Sequence, residues 1–406
     1  MGLKERIDAL ESDVLGESAP KRSLYPLFKT ARLITGKTGL LPQSTINNFY
    51  LTTYNTKVDT PLRIDPQSVD MTRLETNNTC NLRCPMCDTQ SSIRKKINIT
   101  TEHLDKIIRM ARDREPGVQK IFSFHTVGEP IVSPMFEDYL KILDRYNQKL
   151  DLSTNGILID RKLDLLCKYS HLIDTIRFSI DGATKETYER MRWPAKFPKL
   201  IENLELFTKA NKGNKYFKKV KIGSVICKTT KDEIAHHLDF YQKYVPLKNI
   251  KFSFLTSLSP TKEFFEDDVI LEKHIRLNNP CSAIFGSEHH VLANGDVSPC
   301  SRDYNGEITV GNVFDEDFDS IVNSSRSVKL REEQLAGGAL EGSLCATCYE
   351  IDGRIPKLFD YLLHAIKLQY SYNKLSVSRA QEKFDRFLEI CEKGFPTSNE
   401  YVTLFD

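Results

Sequence analysis

Three cysteines at C-x3-C-x2-C spacing, Cys80, Cys84 and Cys87, carry the sharpest chemical signal in the chain. They follow Arg73-Leu74-Glu75-Thr76, a short strand-like run, so they sit in a loop leaving a strand. Thiolates grouped in this way surround a soft metal centre, and four-iron clusters are held by such ligands. Three ligands for four irons leave one iron open to a small molecule. Zinc is the competing reading, but its structural sites take four ligands, commonly as a C-x2–4-C pair with a distant second pair. A second set lies further on: Cys281, Cys300 and the pair Cys345-x2-Cys348. These four thiols are enough to close either a zinc or a four-iron site.

The elements around the first loop place other polar residues at one edge. From residue 71 to about 256 strand-like and helix-like runs alternate, which predicts a parallel sheet with crossover helices. Strands are expected at 120–125, 149–153, 175–180, 220–227 and 250–254, and helices at 101–112, 135–146, 160–170, 198–211 and 231–244. The carboxyl ends of the strands carry Gly128-Glu129-Pro130, Ser153-Thr154-Asn155-Gly156 and Ser179-Ile180-Asp181-Gly182-Ala183-Thr184. In parallel α/β architectures that edge carries the chemistry. Each motif also reads as a plain turn, since Gly, Pro and Asn-Gly punctuate loops. Thr184 further reads as a helix N-cap with Thr187 at the third helical position, short of a full capping box.

The cysteine loop and these strand ends, in this order, resemble the radical S-adenosylmethionine (SAM) enzymes, whose hallmark is C-x3-C-x-aromatic-C. Met86 stands where the family usually has the aromatic residue, a position that resembles an adenine-packing contact and that a thioether can fill. The resemblance implies a partial (β/α)6 TIM-like barrel and a cluster on Cys80, Cys84 and Cys87 that chelates SAM. It implies that Glu129 receives the amino group of SAM and that Gly128 lets the backbone approach closely. Val127 replaces the first glycine of the family's motif. Ser153 and Asn155 match the ribose-contacting strand end. Ser179 and Arg192 match partners of the SAM carboxylate, with Asp181 lining the site.

Cys281, Gly295-x4-Cys300 and Cys345-x2-Cys348 resemble the twitch module, a shortened form of the SPASM extension. Arg354 stands where a full SPASM module continues with another cysteine, so the resemblance implies two [4Fe-4S] clusters in all, one of them auxiliary. If all four thiols ligate it, the auxiliary cluster has no open iron and serves as an electron acceptor. The activity implied is hydrogen abstraction by a 5′-deoxyadenosyl radical, followed by oxidation of a carbohydrate-like or cyclitol-like small molecule. Asp181, His125 and Arg192 are candidate proton handlers. Cys227, ending a core strand, is a candidate hydrogen-atom donor of the kind an epimerase requires. Cys167 and Cys391 fall in helical patterns and read as core. The competing enzyme is a maturase that cross-links or epimerises a precursor peptide. A non-enzymatic electron carrier or zinc-stabilised binding protein leaves Glu129, Asn155 and Asp181 without a purpose.

Composition sets the outer limits. The chain has 406 residues, 40% hydrophobic and 28% charged, with a net charge of +2. These are values of a globular protein with no global pull toward nucleic acid. No apolar run approaches the roughly 18 residues of a transmembrane span, and no secretory signal is visible at Met1–Arg6. A cytoplasmic, oxygen-sensitive protein is expected, with a flavodoxin or ferredoxin as electron donor. The expected organisation is a helical or irregular extension at 1–70, the barrel at 71–260, an α+β cluster module at 261–354 and terminal helices at 355–406. Tyr25–Ile34 reads as a basic amphipathic helix packed on its own domain.

Overall fold

The computed structural model describes residues 62–87, 89, 92–255, 268, 270, 281, 283–286, 288–335, 345, 348, 354–372 and 375–393. The helix expected over Tyr25–Ile34 lies outside them.

Six parallel strands, β1 (Asp70–Leu74), β2 (Ile121–Ser123), β3 (Lys149–Thr154), β4 (Ile173–Ser179), β5 (Val220–Ile226) and β6 (Ile250–Phe254), pair in sequence order. Between them run α1 (Thr101–Arg114), α2 (Phe136–Arg145), α3 (Ile159–Lys168), α4 (Lys185–Met191), α5 (Phe197–Ala210) and α6 (Ile234–Tyr241). This is the partial (β/α)6 TIM-like barrel. Each helix turns an apolar stripe to the sheet; in α1 the stripe is Leu104, Ile107, Ile108 and Ala111, all buried. Burial of each large aliphatic side chain stabilises the fold by about 1.5–3 kcal/mol. The Thr100 hydroxyl starts α1 by accepting the His103 N–H at 3.2 Å, and Arg112 and Arg114 close its last turn.

Beyond β1 the sheet continues into the second cysteine region. β7 (Glu288–Val291) pairs in parallel with β1, then β8 (Asp296–Ser298) and β9 (Gly311–Asn312) follow antiparallel. A hairpin turning at Asn294-Gly295 is therefore fused to the barrel sheet. Two short helices, α7 (Phe318–Val322) and α8 (Ser325–Leu335), complete this part. It is clamped to α1: the His103 and Phe314 rings stack at 3.8 Å, and Lys106 Nζ donates to the Phe314 carbonyl at 2.6 Å. The terminal helices α9 (Arg354–Ser371) and α10 (Val377–Lys393) pack on the far side, over β6 and α6. Phe359 of α9 meets Phe252, Phe254, Phe384 and Phe387, and Gln381 of α10 bonds the backbone of Lys231 and Ala235. They cover the open edge of the barrel rather than the cluster module. Among the described residues no helix is long and apolar enough to cross a membrane.

Candidate active site

The loop after β1 brings Cys80, Cys84 and Cys87 together, close enough for their charges to interact. Cys87 N–H donates to the Cys84 carbonyl at 3.0 Å, which turns the loop back on itself, and Leu82 N–H points at Cys80 Sγ at 3.3 Å. Burial pushes the Cys80 thiol up to about 12 and the Cys84 thiol up to about 11. A bound cation reverses that preference, because a coordinating thiol is deprotonated. Among the described residues no three His, Cys, Asp or Glu side chains form a single-ion site; a four-iron cluster takes its ligands on separate irons.

Glu129 lies in the turn that follows β2, wrapped against this loop. Its backbone N–H donates to the Thr79 carbonyl at 2.8 Å, and Asn77 Nδ2 donates to its carbonyl at 3.1 Å. Gly128 has φ +86°, and a Cβ there would press into the Asn77 carbonyl oxygen and lie 2.9 Å from that of Thr79. Only glycine fits so close an approach at that φ. The Glu129 carboxylate accepts the Asn155 N–H at 2.7 Å on Oε2, while Oε1 is buried with no hydrogen-bond partner among the described residues. Burial lifts its pKa to about 7. A buried carboxyl in that state is matched by an incoming ammonium.

Asn155 joins β3 to the cysteine loop: its Nδ2 donates to Asn81 Oδ1 at 2.9 Å and lies 3.9 Å from Cys80 Sγ. Ser153 and Ser179, on neighbouring strands, share a hydrogen bond of 3.2 Å. Met86 is half-buried at the loop. Asp181 and Arg192 are placed differently from the sequence expectation. Asp181 is fully buried, its Oδ1 accepting the Val225 N–H at 2.6 Å and its Oδ2 lying 2.6 Å from Arg192 Nε. Arg192 also neighbours Cys84. The pair is thus a strut between β4, β5 and the cysteine loop, with both carboxylate oxygens committed. Cys227 is fully buried, 3.9 Å from Met191 Sδ and 3.6 Å from the Thr230 hydroxyl. Its neighbours are core atoms, where a hydrogen donor would need to face substrate. His125 is half-buried beside Ser123, 3.1 Å from its hydroxyl, and burial pushes its pKa down to about 4.

In the second set Cys300, pushed up to about 12 by burial, lies within electrostatic reach of Cys281 and Cys348. Cys348 N–H donates to the Cys345 carbonyl at 3.4 Å. All four cysteines of the set therefore fall in one neighbourhood.

The sequence over residues 74–241 matches the profile of the radical SAM superfamily. Those residues form a radical SAM domain. Residues 281–349 match the SPASM iron–sulfur cluster-binding domain. This radical SAM protein thus has SAM and a four-iron cluster as the family's cofactors, with an auxiliary iron–sulfur cluster in its second cysteine region. Molybdenum cofactor biosynthesis protein 1 of Dictyostelium discoideum is 30% identical over 191 residues, 44% of this chain and 28% of that protein. The GTP 3′,8-cyclase of Chlorobaculum tepidum is 26% identical over 142 residues, 34% of this chain and 41% of that enzyme. The chain thus spans less than half the length of either curated relative. The structure of Streptococcus suis SuiB bound to precursor peptide SuiA superposes with a TM-score of 0.51 at 16% identity, over 88% of this chain and 85% of that one. That likeness concerns the fold.

Two features of the site lay beyond sequence reading. Glu233, from the turn before α6, accepts from Ala183 N–H and from the Thr184 and Thr187 hydroxyls, and so completes the cap of α4 from 46 or more residues away. Arg94 donates to buried Glu75 at 2.5 Å and, through Nε, to the Tyr304 carbonyl at 2.8 Å; Glu75 in turn accepts the Ala293 N–H at 3.2 Å. This pair ties the segment after the first cysteine loop to the hairpin carrying Cys300. Neither contact has a local spacing that would reveal it.

Proposed function

We propose that this radical SAM enzyme oxidises a carbohydrate-like or cyclitol-like small molecule, with the second cysteine set as the electron-accepting centre. The observation that carries the SAM reading is Glu129 Oε1, a buried carboxylate oxygen left without a partner beside the cysteine loop. A cluster held by Cys80, Cys84 and Cys87, with SAM bound at Glu129, would supply the radical chemistry that removes a hydrogen atom from substrate.

The residues of this chain have three tasks. Cys80, Cys84 and Cys87 hold the first cluster, and Glu129, Asn155, Ser153 and Ser179 orient SAM, with Met86 beside the adenine. Arg192 pairs with Asp181 and fixes the cysteine loop against β4; its own fork is then only in part available to the SAM carboxylate. Cys281, Cys300, Cys345 and Cys348 supply four thiolates, a complete set, so that centre is suited to taking an electron rather than binding substrate. His125, beside the Ser123 hydroxyl, is the proposed acceptor of the carbinol proton, a weak base as burial leaves it.

The test is anaerobic incubation of the reconstituted enzyme with SAM, reductant and deuterated candidate substrates, reading label in 5′-deoxyadenosine. Label transfer with loss of two electrons from a polyol supports the reading. A Glu129→Gln variant should bind SAM about tenfold or more weakly, the worth of a hydrogen bond to a charged group. Label transferred only from a peptide would replace the oxidation reading by the maturase one.

A further inference from the structure

A parallel sheet covered by helices normally carries apolar residues on both faces. This one does so on only one. Phe122, Leu150, Leu152, Ile176, Phe178 and Ile222 are buried under the helices. On the opposite face, residues paired across strands point the same way, and strand register aligns His290 with Arg73, Arg73 with Ser123 and Ser123 with Asp151. One polar row therefore crosses four adjacent strands. Toward the carboxyl ends, where the cysteine loop sits, His125 and Arg177 rise from the same face. His125 lies within electrostatic reach of Arg73, Asp151 and Arg177, and of His290.

The charges in this row cancel. Arg73 grips Glu288 through two nitrogens, at 3.1 and 3.3 Å, and Arg177 NH2 lies 3.6 Å from Asp151 Oδ2. Burial keeps both histidines neutral, each pushed down to about 4. Lys149 on the same face is engaged by the His171 carbonyl at 2.5 Å, Lys221 lies within reach of Asp174, and Lys251 is at the β6 edge within reach of Asp360. What remains unsatisfied is specific: Asp151 Oδ1 and His290 Nδ1 are buried with no hydrogen-bond partner among the described residues. Leaving such groups unpaired costs about 1–3 kcal/mol each, and a ligand that pairs them recovers it. A hydroxyl both donates and accepts, and an ammonium satisfies a carboxylate oxygen. A phosphate does neither for Asp151, whose charge would repel it.

We infer that the row His290, Arg73, Ser123 and Asp151, with His125 and Arg177 above it, recognises the substrate, and that it selects a polyhydroxylated molecule, uncharged or bearing an amine, over a phosphorylated one. The inference rests on reading the chain as a SAM-cleaving enzyme and names the substrate class for that site. Asp151 is its main specificity residue and His290 the second.

Equilibrium dialysis of the anaerobically reconstituted full chain with labelled glucosamine, myo-inositol, glucose 6-phosphate and GTP tests it. The expected order places glucosamine and myo-inositol ahead of both phosphorylated probes. Asp151→Asn should weaken glucosamine binding by about tenfold and narrow the gap to glucose 6-phosphate, because the repelling charge is gone. His290→Gln gives a second reading, a loss for both polyols, should Asp151→Asn fold poorly. Phosphorylated probes binding more tightly than the polyols, polyols that are not retained, or glucosamine binding unmoved by either variant would each overturn the inference. Production of 5′-deoxyadenosine by the same sample separates the two readings. SAM cleavage without polyol retention removes only this inference, and retention without cleavage removes only the enzymatic reading.

Discussion

Replacing Gly128 by alanine tests how tightly the Glu129 turn is pressed against the cysteine loop. Gly117 provides an internal control. Both residues have positive φ, +86° and +83°, but a Cβ at Gly117 meets nothing within 4 Å, whereas at Gly128 it presses on the Asn77 and Thr79 carbonyls. Gly117→Ala should therefore cost only the left-handed backbone penalty, about 1 kcal/mol. Gly128→Ala carries the same penalty and must also displace a backbone held by the Glu129 N–H to Thr79 bond and by Asn77. Straining or breaking one or two such bonds adds about 1–3 kcal/mol, for a total of about 2–4. Urea denaturation of the apoprotein, compared at constant slope, measures the stability difference. Titration of the reconstituted protein with SAM measures whether the Glu129 carboxylate has moved. Equal midpoints for the two variants, with SAM affinity of Gly128→Ala unchanged, would refute the close-approach argument.

Three further outcomes follow from individual contacts. His237 is buried between Tyr241 and Phe252, and burial pushes its pKa down to about 3. The unfolded residue titrates near 6.5, so the unfolded state takes up the proton first and stability falls as pH drops from about 6.5 toward 3. Between pH 7 and 5 the wild type should lose about 2 kcal/mol that His237→Phe retains; parallel losses in the two urea curves would contradict this. Removing one partner of the buried Glu75–Arg94 pair leaves an uncompensated charge, so Arg94→Ala should cost about 3–5 kcal/mol and lower iron retention on the Cys300 side, checked by iron analysis after gel filtration. Glu233→Ala removes three bonds at the start of α4 and should destabilise by about 1–2 kcal/mol, the scale of a lost helix cap; a change under a few tenths would show that water replaces it.

The barrel was legible because its signals are local. Alternation such as Lys149-Leu150-Asp151-Leu152-Ser153 marks a strand, and β6 matches its expected residues at both ends. Boundaries drifted where propensity is weak: the strand expected over 120–125 keeps ladder bonds only at Ile121–Ser123, because the chain then leaves the sheet to form the Glu129 turn. Motif spacing was enough to predict that Glu129 and Asn155 sit at the cysteine loop. It was not enough for Arg192 and Asp181, since each motif residue read alone has a free side chain, and their mutual pairing arises only when β4 and α4 fold together. The parallel pairing of β7 with β1, and the polar row it completes, join residues more than 200 positions apart. No local pattern carries such a pairing.

The proposed reaction requires two iron–sulfur centres, one for SAM and one for the electron. Iron and zinc per chain in anaerobically reconstituted protein, beside a Cys80/Cys84/Cys87→Ala triple variant, test it directly. Two four-iron clusters require about eight irons falling to about four, with no zinc. About four irons falling to near zero, with zinc retained by both proteins, would make the Cys281–Cys348 region a zinc site and leave the proposed oxidation without its electron acceptor.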